Sequence, residues 1–195
     1  MIIGLTGKYC SGKSSIAEEF EKKGYYIIEV DKLGHAALNI KRTEIEETFG
    51  NGVILNEEVN RRALGRIVFR NSNKRDQLEK IVHPVMVQEV KDILEKHHGE
   101  NILIDAAILA RMGLHKFCDA VIWVTAPFFK RLDMALYRDN RGVFFALSRM
   151  FSQRKLKSNL TKKHVDTYII HNTGDLNSLS DKVENILKTI NNLRK

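Results

Sequence analysis

The sequence predicts an α/β fold, a five-stranded parallel sheet flanked by helices, and three observations carry that reading. Five short apolar runs alternate with segments of helical spacing. The runs are near-continuously apolar rather than alternating, as strands buried on both faces are. Residues able to do chemistry fall at the carboxyl ends of three of them, where ligands bind in sheets of this kind.

Taken in order, "MIIGLT" is the first strand, and "SSIAEEFEKKG" follows as a helix with Ile16, Ala17 and Phe20 on one face. That helix should end at Lys22, Lys23 and Gly24. "GYYIIEVD", rich in aromatic and β-branched residues, reads as a second strand ending on Asp31. "NILIDAA" runs apolar into Asp105, "DAVIWVTAP" is closed by Pro127, and "DTYIIHNTG" is the fifth strand. Between the second and third lie about 70 residues without strand character but with helical spacing at Leu78, Ile81, Val82, Val85 and Val90. Pro84 should start a new helix there or bend one. Leu176, Leu179, Val183, Ile186, Leu187, Ile190 and Leu193 mark a last amphipathic helix.

Between the first strand and the first helix stands "GLTGKYCSGKSS", with Gly7, four residues, then Gly12-Lys13-Ser14. This is the Walker A spacing. Glycines let the backbone curl so that successive N–H groups face anionic oxygens, and the helix adds its positive end. Lys13 supplies a cation for the β- and γ-phosphates, and the Ser14 hydroxyl suits Mg²⁺. Strand, glycine loop and helix together are the setting the motif requires.

Composition bounds the rest. The chain has 195 residues, 43% of them hydrophobic, enough for one substantial core with a lid. No apolar stretch approaches the roughly 20 residues of a membrane span, and the N-terminus lacks the pattern of a signal peptide. Cys10 and Cys118 form neither a disulfide framework nor a metal set, which suits a reducing cytoplasm. The net charge of +8 raises the possibility of nucleic acid. Its distribution argues otherwise: residues 130–163 hold ten Lys or Arg against two Asp, leaving 22 basic and 22 acidic residues elsewhere. A basic segment of that kind suits a lid over a polyphosphate. Oligomeric state does not follow from the sequence.

A phosphate cradle, a metal, arginines and a carboxylate are the parts phosphoryl transfer requires. Asp31 is the candidate base for an acceptor hydroxyl, and Asp105 is placed like a Walker B carboxylate. Arg138, Arg141 and Arg154 lie in the basic segment, with Arg138 ranked first.

At this point the residues resemble the dephospho-coenzyme A kinase family nearly end to end. "GLTG…SGKS" is similar to its opening loop, and "EVD" stands where members have Asp-x-Asp. "NRRALGRIVF" with "LEKIVHP" resembles its helical signature, "LIDAAILARMGL" its Asp-x-Pro-Leu-Leu-Phe-Glu-x-Gly stretch, and "DTYIIHNTG" its closing motif. The resemblance implies a P-loop kinase fold with a core of about residues 1–40, 100–127 and 165–195. A helical acceptor-binding insertion would span about 41–99, and a basic lid about 130–163. It implies transfer from ATP, with Mg²⁺, to the ribose 3′-hydroxyl of dephospho-CoA. Residues Gly7, Lys8, Tyr9, Cys10, Ser11, Gly12, Lys13, Ser14 and Ser15 would hold the nucleotide with Arg138, and Asn172 and Gly174 would form the turn beside adenine. Asp31, Lys13 and Arg138 would be catalytic; Leu33, His83, Pro84 and Asp105 would join Asp31 toward the acceptor; Ser14 and Asp105 would serve the metal.

The chain also departs from the family pattern. Lys8 and Cys10 replace glycines, Glu29 an Asp, Ala107 a Pro, Arg111 a Glu and Thr167 an Asp. The basic segment is a few residues longer. Two other readings stand beside this one: another small-molecule P-loop kinase of the nucleoside or nucleotide type, or a non-catalytic nucleotide- or RNA-binding protein.

Overall fold

A computed structural model describes residues 1–139, 150, 165–173 and 176–193. The chain divides into two compact units, residues 1–28 with 99–195 and residues 29–98.

The first unit is built on the parallel sheet. Its strands are β1 (Ile2–Gly7), β2 (Tyr26–Glu29, which runs one residue into the second unit), β5 (Ile102–Asp105), β6 (Ala120–Thr125) and β7 (Thr167–His171), in the order β2-β5-β1-β6-β7. β1 is central and pairs parallel with β5 on one side (Ile3 opposite Leu103) and β6 on the other (Leu5 opposite Ile122). β7 runs parallel to β6, with Trp123 opposite Ile169. All five expected strands are present; the inner three, β1, β5 and β6, are mostly buried because both faces are covered, while the edge strands β2 and β7 are partly exposed.

Helix α1 (Lys13–Lys22) and the last helix, α7 (Leu176–Leu193), cover one face. Ile16 and Phe20 of α1 meet Leu179, Val183, Leu187 and Ile190 of α7 over Ile3, Leu5, Ile122 and Val124 of the sheet. Phe20 is fully buried and stacks edge-to-face on Tyr25, ring centroids 4.9 Å apart. On the other face Gly4 leaves room for Leu109, Cys118 and Val121, and an added Cβ would come within 2.7 Å of Leu109. Burial, helped by Asp119, pushes the Cys118 thiol up to about 12.

The second unit is mainly helical: α2 (Val30–Ile40), α3 (Arg42–Phe49), α4 (Arg61–Arg70) and α5 (Ser72–Lys96). Asn60 caps α4 by accepting from the Ala63 N–H, and Asn71 caps α5 by accepting from the Asn73 and Lys74 N–H groups. α2 packs on α5, with Gly34 beside Met86.

Three expectations are corrected here. The run "GYYIIEVD" is a strand only over Tyr26–Glu29; α2 begins at Val30, so Asp31 sits in the first turn of a helix. The stretch expected to lack strands contains a hairpin, β3 (Ile54–Leu55) and β4 (Glu58–Val59). Its two-residue turn, Asn56-Glu57, has φ 49° and 63°, the left-handed pair such hairpins require. Of the two outcomes expected at Pro84, the start of a new helix is not the one found: α5 runs through it for 25 residues. The missing N–H at Pro84 forfeits one rung, which the packed flanks Ile81, Val82 and Met86 outweigh.

Phe20→Ala is expected to cost about 3–5 kcal/mol, because the cavity would open at the junction of α1, α7 and the sheet. Urea unfolding followed by circular dichroism measures it.

Candidate active site

The carboxyl ends of β1, β5, β6 and β7 lie along one edge of the first unit's sheet, and each delivers part of the site. β1 leads into the loop of residues 7–12 and then into α1, whose N-terminal residues are Lys13, Ser14 and Ser15. Lys13 and Ser15 are half-buried and Ser14 is exposed. The first N–H groups of α1 have no partner within the helix, which makes its start an anion site.

The loop is as tight as a cradle must be. A Cβ on Gly7 would strike the backbone oxygen of Val124 in β6, and Gly12 has φ 90° with the Asn172 amide against it. Ser11 donates its N–H to the Lys8 carbonyl at 3.1 Å, closing a turn. Its hydroxyl is buried over Gly7 and has no hydrogen-bond partner among the described residues. A buried hydroxyl left in that condition is costly, and a bound phosphate oxygen would satisfy it. Of the two positions where the family has glycine, only Cys10 adopts the left-handed conformation, with φ 55°; Lys8 does not. A non-glycine residue there carries about 1 kcal/mol of strain.

β5 ends on Asp105, beside Leu5 in the neighbouring strand and half-buried. The Thr6 hydroxyl donates to the Ala107 carbonyl at 3.2 Å, tying the end of β1 to the segment after Asp105. Asp105 and Ser14 therefore offer oxygen ligands from elements that flank the loop, a donor set that suits a hard cation retaining several waters.

Helix α6 (Phe128–Asp139) follows β6. Its Arg131 is only 7% exposed and donates Nε–H to the Tyr9 carbonyl at 3.0 Å. Burial draws the guanidinium down from its usual value, and the nearby Cys10 thiol opposes that shift. Arg138 lies in the same helix, but its side chain is outside the described residues, as are Gly174 and most of the basic lid segment. Asn172, after β7, is 6% exposed; its Nδ2 donates to the Ser11 carbonyl at 3.0 Å. The resemblance placed Asn172 in a turn beside adenine; the side chain's contact is with the loop.

The first unit thus brings together Gly7 to Ser15, Asp105 and Asn172. Asp31, Leu33, His83 and Pro84 belong to the second unit, on the packed pair α2 and α5. Asp31 is exposed in the first turn of α2, Leu33 and His83 are half-buried, and Pro84 is exposed. One turn beyond Asp31, His35 Nε2 lies 2.6 Å from Arg61 Nη1.

Sequence reasoning missed Arg131, choosing Arg138 from the same basic run. The available signal was position: Arg131 follows Pro127 by four residues, at the start of the helix leaving β6, and its N–H bonds back to the Pro127 carbonyl.

A glycine loop that ends a central strand, a lysine at the helix start and a strand-end aspartate define a P-loop phosphotransferase. A family model for dephospho-CoA kinase matches residues 1–178, and the chain belongs to that family. A dephospho-CoA kinase of Bacillus licheniformis is 34% identical over 206 residues, covering all of this chain and 99% of its own. Among solved structures, TT1252 from Thermus thermophilus aligns with a TM-score of 0.80 at 25% identity, over 97% of each chain. A dephospho-CoA kinase from Campylobacter jejuni shares the fold, with a TM-score of 0.60 at 23% identity, over 97% of this chain and 96% of its own. The protein is accordingly a kinase that uses ATP and acts on dephospho-CoA.

Lys13→Ala should lower kcat about 100-fold or more, since a cation aimed at the transferring phosphoryl is lost from a preorganised site. Steady-state ADP release measures it, and near-normal kcat would remove the loop from the chemistry.

Proposed function

We propose that this kinase transfers the γ-phosphoryl of ATP to the ribose 3′-hydroxyl of dephospho-CoA, with Asp31 taking the hydroxyl proton. The observation that carries this reading is the phosphate loop at the end of the central strand, in a chain whose family acts on this acceptor. The first unit holds the nucleotide: N–H groups of the loop and of the start of α1 bind the phosphates, Lys13 follows the charge that moves with the phosphoryl group, and Arg138 adds a second cation. Asp31 would take that proton as an exposed carboxylate in the first turn of α2.

The residues present fit Mg²⁺, with Ser14 and Asp105 as its protein oxygens. Held there, the ion would supply positive charge against the phosphates. The second unit binds the acceptor, with Leu33, His83 and Pro84 on α2 and α5 shaping its pocket; of the basic segment 130–163, residues 130–139 belong to α6 with Arg131 buried, so the part beyond them would act as the lid. A reducing, cytoplasmic setting suits Cys10 and Cys118, neither of which is in a disulfide. Among the described residues no helix is long and apolar enough to cross a membrane.

The acceptor is tested by ADP release with dephospho-CoA against nucleosides and nucleotides, of which only dephospho-CoA should drive turnover. Activity should disappear with EDTA and return with Mg²⁺; metal-independent turnover would free Ser14 and Asp105 of that role. Asp31→Asn keeps the shape and removes the basicity. It should leave ATP affinity by calorimetry nearly intact and lower single-turnover transfer about 100-fold or more. Loss of ATP affinity with transfer preserved would reassign Asp31 to the metal or the fold.

A further inference from the structure

The phosphate loop contains its own conformational problem. Cys10 is held at φ 55°, and its neighbours Tyr9 and Ser11 each direct a carbonyl away from the loop. Both carbonyls are taken by side chains from distant parts of the chain: Tyr9 by the Nε–H of Arg131, and Ser11 by the Nδ2 amide of Asn172, 161 residues away in sequence. The two donors are themselves fixed. Arg131 lies in the first turn of α6 with its N–H on the Pro127 carbonyl, and Asn172 gives its own N–H to Thr125 at the end of β6 at 2.8 Å. Both are at least nine-tenths buried.

A trans peptide is planar, so its C=O and N–H point in opposite directions. The peptide joining Tyr9 to Cys10 therefore turns the Cys10 N–H away from Arg131. The peptide joining Ser11 to Gly12 likewise turns the Gly12 N–H away from Asn172. Pinning the two carbonyls outward aims the two N–H groups at the interior of the loop, where an anion would sit. We propose that Arg131 and Asn172 are positioning residues for the phosphate loop, and that they set the N–H groups receiving the terminal phosphates of a nucleoside triphosphate.

This assignment rests on reading residues 7–15 as the ATP phosphate cradle. It gives Asn172 a purpose that does not involve the base. It also accounts for Cys10: a strained residue persists where the structure around it over-determines the backbone, and here the peptides on both sides of it are tied.

Inorganic tripolyphosphate with Mg²⁺ is the probe, because it presents the phosphates without adenine. Asn172→Asp keeps the side-chain shape and sets an acceptor against the Ser11 carbonyl. Its affinities for tripolyphosphate and ATP, by calorimetry, should fall together by about tenfold or more, the scale of one lost buried hydrogen bond. The KM for dephospho-CoA should hold within about twofold. Arg131→Met should show the same joint loss, and Arg131→Lys, which retains a cationic donor, should recover part of it. If Asn172→Asp does not fold, Asn172→Ser and the Arg131 pair carry the same comparison.

Parental affinity of the folded variants for both ligands would reduce these contacts to fold stability and overturn the proposal. Weakened ATP with unchanged tripolyphosphate would return Asn172 to the adenine side and overturn it as well. Parental tripolyphosphate affinity in Lys13→Ala would instead defeat the cradle reading itself, and the proposal with it.

Discussion

The structure depends on one constraint: a short stretch of backbone must turn several N–H groups toward a highly charged anion while its carbonyls point elsewhere. Unpaired buried carbonyls are expensive, so the surroundings must accept them. That requirement explains why the loop leaves the central strand rather than an edge. Only there can neighbours on both sides reach it, β5 with Asp105 and β6 with the crowded oxygen of Val124. It also explains the two glycines. Gly7 has a backbone atom where a side chain would be, and Gly12 has both a left-handed φ and the Asn172 amide at that place.

Much of the architecture was legible because its signals are local. Each strand of the main sheet is an apolar run bounded by a turn, and α1 and α7 show their buried faces as helical spacing. The phosphate loop was legible because glycine, lysine and serine at fixed spacing have few other uses. The assignment of Leu33, His83 and Pro84 to the acceptor came only from family likeness. Taken alone, His83 in mid-helix and Leu33 on α2 look like packing residues, and their half-buried positions on α2 and α5 do not by themselves say otherwise.

What escaped the sequence was non-local or conditional. The hairpin at Ile54–Val59 has two-residue strands, too short for an alternation to show, and its turn is Asn-Glu rather than Asn-Gly. Asp31 was assigned to a strand end because "YYIIEV" favours β structure, yet α2 takes over at Val30, burying Val30 and Ala37 on its inner face. Pro84 was expected to start a helix or bend one, and no helix starts there, because a long helix with buried residues on either side can absorb one missing rung. The parts of Arg131 and Asn172 in holding the loop were invisible for a different reason. Their partners are backbone carbonyls, which leave no trace in residue type.

The central place of β1 has a consequence for the birth of the chain. The strand at residues 2–7 is made well before its two partners, which begin at residues 102 and 120. Until then a strand apolar on both faces has nothing to pair with, and an unpaired apolar edge invites association with other chains. The helical unit of residues 29–98 is complete before either partner strand and relies on contacts nearer in sequence than those of β1, which form faster. Synthesis thus favours a helical segment that folds early while the oldest strand waits. The earliest strand of the sheet is among the last to find its partners.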